Sequence, residues 1–352
     1  MPSREPSWWY SATPTWPVHV LTPAARLYGE AMVRRYRATA PARAAHPVIC
    51  VGNFTVGGTG KTPLSLAIAE QLRVAHRQPW FLSRGYGGKL AGPLRVDPAR
   101  HTAADVGDEP LLLARDAPTI VSRNRPAGAM LIASCAPADA VIIMDDGLQN
   151  PSLAKDLAIA VVDCRRGVGN GRVLPAGPLR APLAFQMSLA DVIVVNGDRE
   201  TPLDPDFEAA LSLFPGPLIR AHATAAGDTS WLKSRRVIAY AGIANPQRFF
   251  AMLEQLDARI IATRVYGDHA AYSEREALEL LDAAKTLDCD LVTTSKDLAR
   301  LARMPGAMAE LHARSKVLAI TLSFSADDRQ QLMSLIMEKI GAHSPRDSSV
   351  MP

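Results

Sequence analysis

The chain has 352 residues, a length that suffices for two domains, each with its own hydrophobic core. Hydrophobic residues make up 48% of it and charged residues 21%, which is typical of globular proteins and excludes a disordered chain. The formal net charge of +4 is too small to indicate nucleic-acid binding. We therefore expect a globular protein without a nucleic-acid partner.

The four cysteines are scattered, with neither a C-x-x-C pair nor the spacing of metal ligands: Cys50, Cys135, Cys164 and Cys289. Such cysteines are typical of reduced thiols in a cytosolic protein. The first residues lack the pattern of a secretory signal, and no run approaches the ~20 apolar residues that cross a bilayer. We expect a soluble or peripheral protein, and the sequence indicates no obligate protein partner.

Residues 1–45 are predicted to form an N-terminal segment with an amphipathic helix. Aromatic residues crowd into its Pro-rich start: Trp8, Trp9, Tyr10 and Trp16. Thr22 and Pro23 have the pattern of a helix N-terminus. Beyond them an apolar face lies opposite three arginines, formed by Ala24, Leu27, Tyr28, Ala31 and Met32 against Arg26, Arg34 and Arg37. The pattern is typical of a helix on an anionic membrane surface, and equally of a helix docked on the protein body.

Short apolar runs rich in Val and Ile alternate with helix-length segments along the rest of the chain. The first set of runs is 47–52, 79–83, 119–122, 140–145, 157–163 and 191–196. After a Pro-rich stretch, a second set follows at 236–241, 259–265, 290–294 and 316–322. Strands that are apolar on both faces and separated by helices predict parallel sheets covered on both sides.

This alternation predicts an α/β protein with two α/β domains of unequal size. We expect the N-terminal segment 1–45, a larger domain 46–210, a smaller C-terminal domain 211–343, and a flexible polar tail 344–352.

Residues 48–62, VICVGNFTVGGTGKT, run from an apolar strand through a glycine-rich loop into a helix. Small residues let backbone N–H groups close around phosphates, Lys61 adds positive charge, and the Thr62 hydroxyl is suited to Mg²⁺. Thr55 stands where the first glycine of G-x-x-x-x-G-K-[ST] is expected. We predict a P-loop NTPase-like parallel sheet flanked by helices. The predicted ATP-binding residues are Thr55, Val56, Gly57, Gly58, Thr59, Gly60, Lys61 and Thr62.

A phosphate-binding loop needs an acidic partner at the end of a neighbouring strand to hold the metal ion. The apolar run 140–144 leads into Asp145 and Asp146. Either carboxylate is suited to hold Mg²⁺ directly or through water while the other orients it. The predicted cofactors are therefore ATP and Mg²⁺, with Thr62, Asp145 and Asp146 as metal residues.

A phosphate-binding loop alone leaves several function classes open. A kinase acting on a membrane lipid, a regulatory or assembly ATPase, and a kinase for a small soluble sugar or coenzyme all use such a loop. The polar loops between residues 165 and 180 favour a kinase, because a nucleotide switch does not need an acceptor site. The aromatic and basic N-terminus favours a membrane-borne acceptor.

Several motifs in order along the chain give it a specific resemblance. They are GN at 52–53 with VGGTGKTP at 56–63, SRGYG at 83–87, VGDEP at 106–110, DDGLQ at 145–149, GNG at 169–171, LPAGPLR at 174–180, DH at 268–269 and TTSKD at 293–297. Together the chain resembles the tetraacyldisaccharide 4'-kinase family of lipid A synthesis. The resemblance implies transfer of the ATP γ-phosphate to the 4'-hydroxyl of an acylated glucosamine disaccharide 1-phosphate, at the cytoplasmic face of the inner membrane.

The resemblance also implies roles for particular residues. Asp108 and His269 are expected to act as a carboxylate–imidazole pair that accepts the proton of the sugar hydroxyl, with Lys61 as the third catalytic residue. Polar residues in glycine- or proline-containing loops are suited to sugar and phosphate groups of the substrate: Arg84, Tyr86, Asn170 and Arg180. Arg165, Arg166 and Arg172 lie in the same loop region and are suited to a lipid phosphate or anionic headgroups.

The chain departs from the family pattern at two positions. The D-D-G-x-Q motif usually continues with His, and here Asn150 follows. The G-P-L-R motif often continues with Glu, and here Ala181 follows. The imidazole and carboxylate roles at these positions are therefore not carried over, whereas the core residues of the predicted chemistry are present.

Overall fold

The computed structural model describes residues 5–11, 13, 15–197, 200–268 and 270–343. The predicted tail 344–352 lies outside these residues. The described residues contain thirteen strands: β1 (Val48–Gly52), β2 (Gln78–Ser83), β3 (Leu94–Arg95), β4 (Thr119–Val121), β5 (Ala140–Asp145), β6 (Leu157–Asp163), β7 (Val192–Asn196), β8 (Leu218–Ala225), β9 (Arg236–Ala241), β10 (Arg259–Val265), β11 (Asp290–Thr294), β12 (Ser315–Leu318) and β13 (Ile320–Phe324).

One helix lies in the N-terminal segment, and the others are distributed between the two sheets. In chain order, the described residues form α1 (Trp16–Ala38), α2 (Lys61–Val74), α3 (Ala103–Val106), α4 (Asp108–Leu113), α5 (Arg125–Cys135), α6 (Leu183–Met187), α7 (Pro205–Ser212), α8 (Pro246–Gln255), α9 (Glu274–Leu287), α10 (Ser295–Leu301), α11 (Ala307–Arg314) and α12 (Ala326–Ala342). Single 3₁₀ turns lie at Ser7–Tyr10 and Ser230–Leu232.

A nine-stranded sheet in the order β13-β8-β7-β6-β1-β5-β2-β4-β3 forms the larger part of the molecule. Neighbouring strands are parallel except at the two edges, where β3 and β13 run antiparallel to their partners. Every residue of the central strands β1, β5 and β6 is buried, because helices cover both faces. The predicted parallel sheet flanked by helices is confirmed.

A second sheet, in the order β10-β9-β11-β12, is parallel throughout. Phe249 and Leu253 of α8 are buried on one face of it, and Leu280 and Leu281 of α9 are buried on the other. This is the smaller C-terminal α/β domain that the second set of apolar runs predicts.

The two sheets divide the chain differently from the predicted domains. Strands β8 and β13, both C-terminal to residue 210, pair with each other and extend the nine-stranded sheet. Helix α12 then buries Leu332 and Ile336 against the same apolar cluster as Ile49 of β1. The chain therefore leaves the larger domain only after β8 and returns to it at β13, because these segments bury their apolar side chains on the larger sheet.

The predicted strand 316–322 is two strands in two different sheets. Its first half is β12 of the smaller domain and its second half is β13 of the larger sheet. The two crossings between the domains meet here, where Ala226 N donates a hydrogen bond of 2.9 Å to Ala319 O. The chain therefore passes from the smaller domain to the larger one within a continuous apolar run.

Helix α1 begins earlier than Thr22 and Pro23 predict. It starts at Trp16, with Pro17 in its first turn, so that Pro23 lies inside the helix. The Thr22 hydroxyl donates to Val18 O at 2.6 Å instead of capping an N-terminus. Proline at position 17 satisfies the same first-turn preference six residues upstream.

The carboxyl ends of both parallel sheets face one cleft of about 1780 Å³. Asp163 and Asn196 line it at the ends of β6 and β7, and Thr294 lines it at the end of β11. Ligands of open α/β sheets bind at this edge, so the fold points to the cleft as the functional site.

Candidate active site

The phosphate-binding loop joins β1 to α2 on the floor of the cleft. Gly60 has a φ of 102°, a left-handed conformation that favours glycine, and α2 begins at the next residue, Lys61. Lys61 and Thr62 are buried within the first turn of this helix. The amide of Asn196, at the end of β7, donates to Thr59 O at 2.9 Å and holds the loop from the opposite side.

The first half of the loop is held by the segment that carries Arg180. Thr55 and Leu179 form an antiparallel bridge, and Val56 N donates to Pro178 O at 2.9 Å. Arg180 Nε donates to Thr55 O at 3.1 Å. Thr55 needs no left-handed conformation here, so the missing first glycine of the sequence pattern is accommodated without strain.

Asp145 ends β5 and Asp146 follows it, beside the loop, as predicted. The Ser65 hydroxyl on α2 donates to Asp145 Oδ1 at 3.1 Å. Asp146 Oδ1 lies 3.7 Å from Lys61 Nζ and 2.9 Å from Arg180 Nη1. The end of β5 and the start of α2 thus bring the loop lysine and both carboxylates together.

The two neighbouring carboxylates differ in electrostatic environment. Burial, together with the charges of Glu109 and Asp146, raises the pKa of Asp145 to about 7. Burial also acts on Asp146, but the cations of Arg180 and Lys61 outweigh it and hold the pKa of Asp146 well below its usual range. Lys61 also lowers the pKa of Asp145, but its effect is smaller than the effects that raise it, so the two carboxylates shift in opposite directions.

The donor set fits a magnesium ion that shares its coordination with phosphate. Asp145 Oδ2 is buried and accepts no hydrogen bond from the residues that the structure describes. Within the same residues, no group of three or more His, Cys, Asp or Glu side chains is placed to hold a metal ion. Mg²⁺ in phosphotransferases takes one or two carboxylates plus substrate phosphates, so Asp145, Asp146 and the Thr62 hydroxyl are a suitable set.

A second acidic pair, Asp108 and Glu109, begins α4 and is paired with the other domain. Arg300 of α10 donates to Asp108 Oδ2 through Nε at 2.9 Å, and its Nη2 lies 2.8 Å from the same oxygen. Lys296, one helical turn earlier, donates to Glu109 Oε1 at 2.6 Å. Although burial raises the pKa of Glu109, Lys296 holds it below its usual value.

Asp108, predicted as the base, is buried in this contact between the domains. Its partner Arg300 also donates to Asp297 Oδ1 at 2.9 Å. Burial lowers the pKa of Arg300, but the negative charges of Asp108 and Asp297 outweigh this effect and raise it. The predicted partner His269 lies outside the described residues. Asp268 is placed nearby, with Oδ1 3.8 Å from Arg300 Nη2.

The four residues predicted to bind substrate occupy two kinds of position. Arg84 and Tyr86 are exposed on the wall of the cleft, and Arg180 lines its floor. Asn170 instead holds the chain together: its Nδ2 donates to Ala176 O at 3.0 Å, and its Oδ1 accepts from Arg172 N at 3.1 Å.

Both departures from the family motifs have structural roles here. Asn150 Oδ1 accepts hydrogen bonds from Ser152 N and Oγ at 2.9 and 2.7 Å and closes the turn after the Asp145–Asp146 pair. Ala181 is fully buried, and its carbonyl accepts from Gln186 Nε2 at 2.7 Å. Position 181 therefore offers no polar side chain to the cleft.

Hydrogen bonds of Arg248, Asp163 and Asn196 connect α8 to the phosphate-binding loop, and none of these three residues is among the predicted site residues. Arg248 donates to Asp163 Oδ2 and to Asn196 Oδ1, both at 3.0 Å, and Asn196 in turn holds the loop carbonyl of Thr59. Polar residues at the ends of buried strands are the available signal for Asp163 and Asn196. The signal for the Lys296–Arg300 pair is the four-residue spacing, which places both cations on one face of a helix.

Fold and site together define a P-loop phosphotransferase, with the phosphate-binding loop on one domain and a second domain across the cleft. The family model described as tetraacyldisaccharide-1-P 4'-kinase matches residues 18–341, and the chain belongs to this family.

Relatives support the same assignment over nearly the whole chain. Tetraacyldisaccharide 4'-kinases of Methylobacterium nodulans and Methylobacterium radiotolerans are 48% and 49% identical to it. The first match covers 97% of both chains, and the second covers 96% of this chain and 99% of the relative. The crystal structure of LpxK from Aquifex aeolicus in complex with ATP is similar with a TM-score of 0.73 at 26% identity, covering 92% of this chain and 99% of that one.

None of the helices among the described residues combines the length and apolarity that a membrane crossing requires.

Proposed function

We propose that this protein transfers the γ-phosphate of ATP to the 4'-hydroxyl of tetraacyldisaccharide 1-phosphate and so forms a bis-phosphorylated lipid A precursor. The observation that carries the proposal is the shared cleft. A phosphate-binding loop with Lys61 and the Asp145–Asp146 pair faces acceptor-side loops and a second domain across it. Family membership supplies the identity of the acceptor.

The loop residues Thr55 to Thr62 bind the triphosphate of ATP through their backbone N–H groups and the α2 N-terminus. Lys61 places its ammonium group at the β- and γ-phosphates and stabilises the charge that develops during transfer. Thr62, Asp145 and Asp146 would hold Mg²⁺, which would supply positive charge to the phosphate oxygens.

Asp108 and His269 take up the proton of the attacking hydroxyl. As the 4'-oxygen forms its bond to the γ-phosphorus, the bond to the β-phosphate oxygen breaks, ADP leaves, and the hydroxyl proton passes to this pair. The contact of Asp268 with Arg300, which itself holds Asp108, supports a meeting of the two chain segments. Arg300 then positions Asp108 and links proton transfer to domain closure.

The substrate sugar and its phosphate are bound by Arg84, Tyr86 and Arg180 along the cleft. Guanidinium groups bind phosphate through paired hydrogen bonds, and an exposed tyrosine is suited to stacking on a sugar ring. Asn170 contributes indirectly, because it fixes the loop 170–176 that borders the cleft.

Helix α1 is proposed to rest on the cytoplasmic face of the inner membrane, where the lipid substrate is embedded. Val18, Ala25 and Gly29 of one face are buried against the body of the protein. The opposite face leaves Trp16 and Leu27 76% and 70% exposed. A helix that is docked on one side and apolar on the other is suited to peripheral binding, with its arginines at anionic headgroups.

The function is tested by a phosphoryl-transfer assay with purified protein, Mg-ATP and tetraacyldisaccharide 1-phosphate in detergent micelles. Mass spectrometry should show one added phosphate on the distal sugar, and Lys61→Ala should lower the rate by about 1000-fold. A folded wild-type protein that binds ATP and leaves the lipid unmodified would refute the proposed acceptor.

The membrane proposal is tested by flotation with vesicles of anionic phospholipid. The double variant Trp16→Ser/Leu27→Ser should lose most of its binding, whereas Leu213→Ser, which changes an exposed apolar residue directly after α7, should not. Equal binding of both variants would contradict the role of α1.

A further inference from the structure

A carboxylate from the N-terminal segment lies on the phosphate-binding loop. The side chain of Glu5 packs against Gly57 so closely that a Cβ at position 57 would collide with Glu5 Oε1. Glu5 Oε1 is buried and accepts no hydrogen bond within the described part of the chain. An acidic group with a free oxygen thus stands beside a loop whose backbone is built for anions.

Two side chains fix the position of Glu5 through its other oxygen. The Tyr10 hydroxyl donates to Glu5 Oε2 at 2.9 Å, and Arg166 Nη1 donates to the same atom at 2.8 Å. Burial, with the charge of Glu5 next, raises the pKa of Tyr10 far above its usual value, so the phenol remains a donor. The carboxylate is therefore held from one side only.

The segment that carries Glu5 is docked on the acceptor-side loop. Trp9 is buried, and its indole Nε1 donates to Pro175 O at 3.3 Å. Asn170 N donates to Trp9 O at 2.7 Å. These contacts place the 3₁₀ turn at Ser7–Tyr10 and the preceding Glu5 within the cleft.

Arg166 contacts the N-terminal segment and both domains, and it lines the cleft. Its guanidinium lies 5.0 Å from the centre of the Tyr10 ring, and its Nη2 donates to Ala244 O of the smaller domain at 3.2 Å. Its backbone N donates to Asp163 Oδ1, so the start of the side chain is fixed at the end of β6. A planar guanidinium binds a phosphate group as readily as a carboxylate.

We propose that Glu5 and Arg166 form a latch over the phosphate-binding loop, which the terminal phosphates of ATP open. In the nucleotide-free protein Glu5 holds Arg166. When ATP binds, its phosphates repel the Glu5 carboxylate, displace it from Gly57 and take over the Arg166 guanidinium. This inference rests on the proposed use of ATP, and it adds a regulated phosphate contact to the residues of the loop itself.

Calorimetric titration of the full-length variants with Mg-ATP tests the latch without the lipid acceptor. Glu5→Gln removes the repelling charge and should tighten ATP binding about 3- to 10-fold, whereas Arg166→Gln should weaken it about 10-fold. Glu5→Gln/Arg166→Gln should bind ATP more tightly than Arg166→Gln, but by a smaller factor than Glu5→Gln gains over wild type, because the repulsion is removed and no guanidinium is left to release. Tyr10→Phe keeps the charge, loosens its placement and should tighten binding about twofold.

A control variant and a control ligand accompany this test. Glu70→Gln removes another carboxylate that borders the cleft, on α2, and should leave ATP binding unchanged. The gain in Glu5→Gln should be smaller for ADP than for ATP, because ADP lacks the γ-phosphate whose charge Glu5 would repel from its place against Gly57, four residues before Lys61.

The outcomes separate this inference from the function itself. A wild-type protein that binds no ATP refutes the proposed function. ATP binding that is equal in wild type and Glu5→Gln refutes the latch alone. Weaker binding in Glu5→Gln also overturns it, since Glu5 would then be a ligand of Mg-ATP instead of a competitor.

Discussion

The active-site cleft contains two acidic pairs whose counter-charges come from different places. Asp145 and Asp146 end a central strand, and the cations beside them belong to the larger domain. Asp108 and Glu109 begin a short helix of the same domain, but their cations come from α10 of the smaller domain. One pair is completed within a single sheet, and the other only where two domains meet.

The two pairs therefore depend on the placement of the smaller domain to different degrees. The Asp145–Asp146 pair takes its position from β5, and the cations paired with Asp146, Lys61 and Arg180, belong to the larger domain. The Asp108–Glu109 pair is neutralised only while α10 is docked against α4. We infer that the first pair prepares the ATP site and that the second responds to domain closure.

The largest expected effect comes from breaking the second pair at its most buried cation. Arg300→Ala leaves Asp108 and Asp297 without their shared counter-charge and should lower the free energy of unfolding by about 3–5 kcal/mol. Urea denaturation measures the loss. Arg73→Ala, which breaks the more exposed Arg73–Asp116 pair, is the control and should cost less than about 1 kcal/mol. Equal losses in both variants would contradict the distinction.

A smaller effect is expected at the neighbouring cation. Lys296→Met removes the charge-assisted bond to Glu109 and should cost about 2 kcal/mol in the free energy of unfolding. Because Lys296 lowers the pKa of Glu109, its removal should raise that pKa and move the acid limb of the kcat/KM profile to higher pH. A profile unchanged from wild type would show that Glu109 does not titrate in the active range.

Asp145 of the first pair should respond to pH in the opposite sense from a stabilising ion pair. The pKa of Asp145 is raised from 3.8 to about 7 on folding, so the folded chain binds more protons between these values and its stability falls as pH rises through them. Without divalent cations, Asp145→Asn should therefore raise the Tm by about 2–4 °C at pH 8. At pH 5 the gain should be smaller. A gain that is equal at both pH values would contradict the assignment.

The smallest expected effect concerns the link between α8 and the loop. Arg248→Ala removes two hydrogen bonds that hold Asp163 and Asn196, and the loop carbonyl of Thr59 loses its fixed donor. The KM for ATP should rise about fivefold while kcat changes less. Arg248→Lys should recover only part of this, because an ammonium group does not span both acceptors. A lower kcat at unchanged KM would place the effect in catalysis.

The sequence predicts the first pair much better than the second. Strand β5, the glycine-rich loop and the start of α2 are local patterns, and these patterns alone place Lys61, Thr62, Asp145 and Asp146 at one site. The contact of Lys296 with Glu109 joins residues 187 positions apart, and no local pattern encodes it.

The strands of the fold also depend on contacts that local sequence patterns do not encode. The run 316–322 has the composition of one strand, yet Ala319 separates two strands that pair in different sheets. The apolar runs do not predict β8, because it follows a Pro-rich stretch and only two of its eight residues are buried. Membership of a sheet depends on which partner strand is nearby, and period-2 or apolar patterns do not contain that information.

Asp108 is proposed to act in phosphoryl transfer and not in ATP binding. Asp108→Asn, saturated with Mg-ATP and mixed with excess lipid acceptor, should transfer phosphate at least about 100-fold more slowly than wild type in a single turnover. Its ATP affinity by calorimetry should stay within about threefold of wild type, since the loop and the Asp145–Asp146 pair are intact. Transfer at the wild-type rate by a folded Asp108→Asn protein would refute the role of Asp108 in phosphoryl transfer.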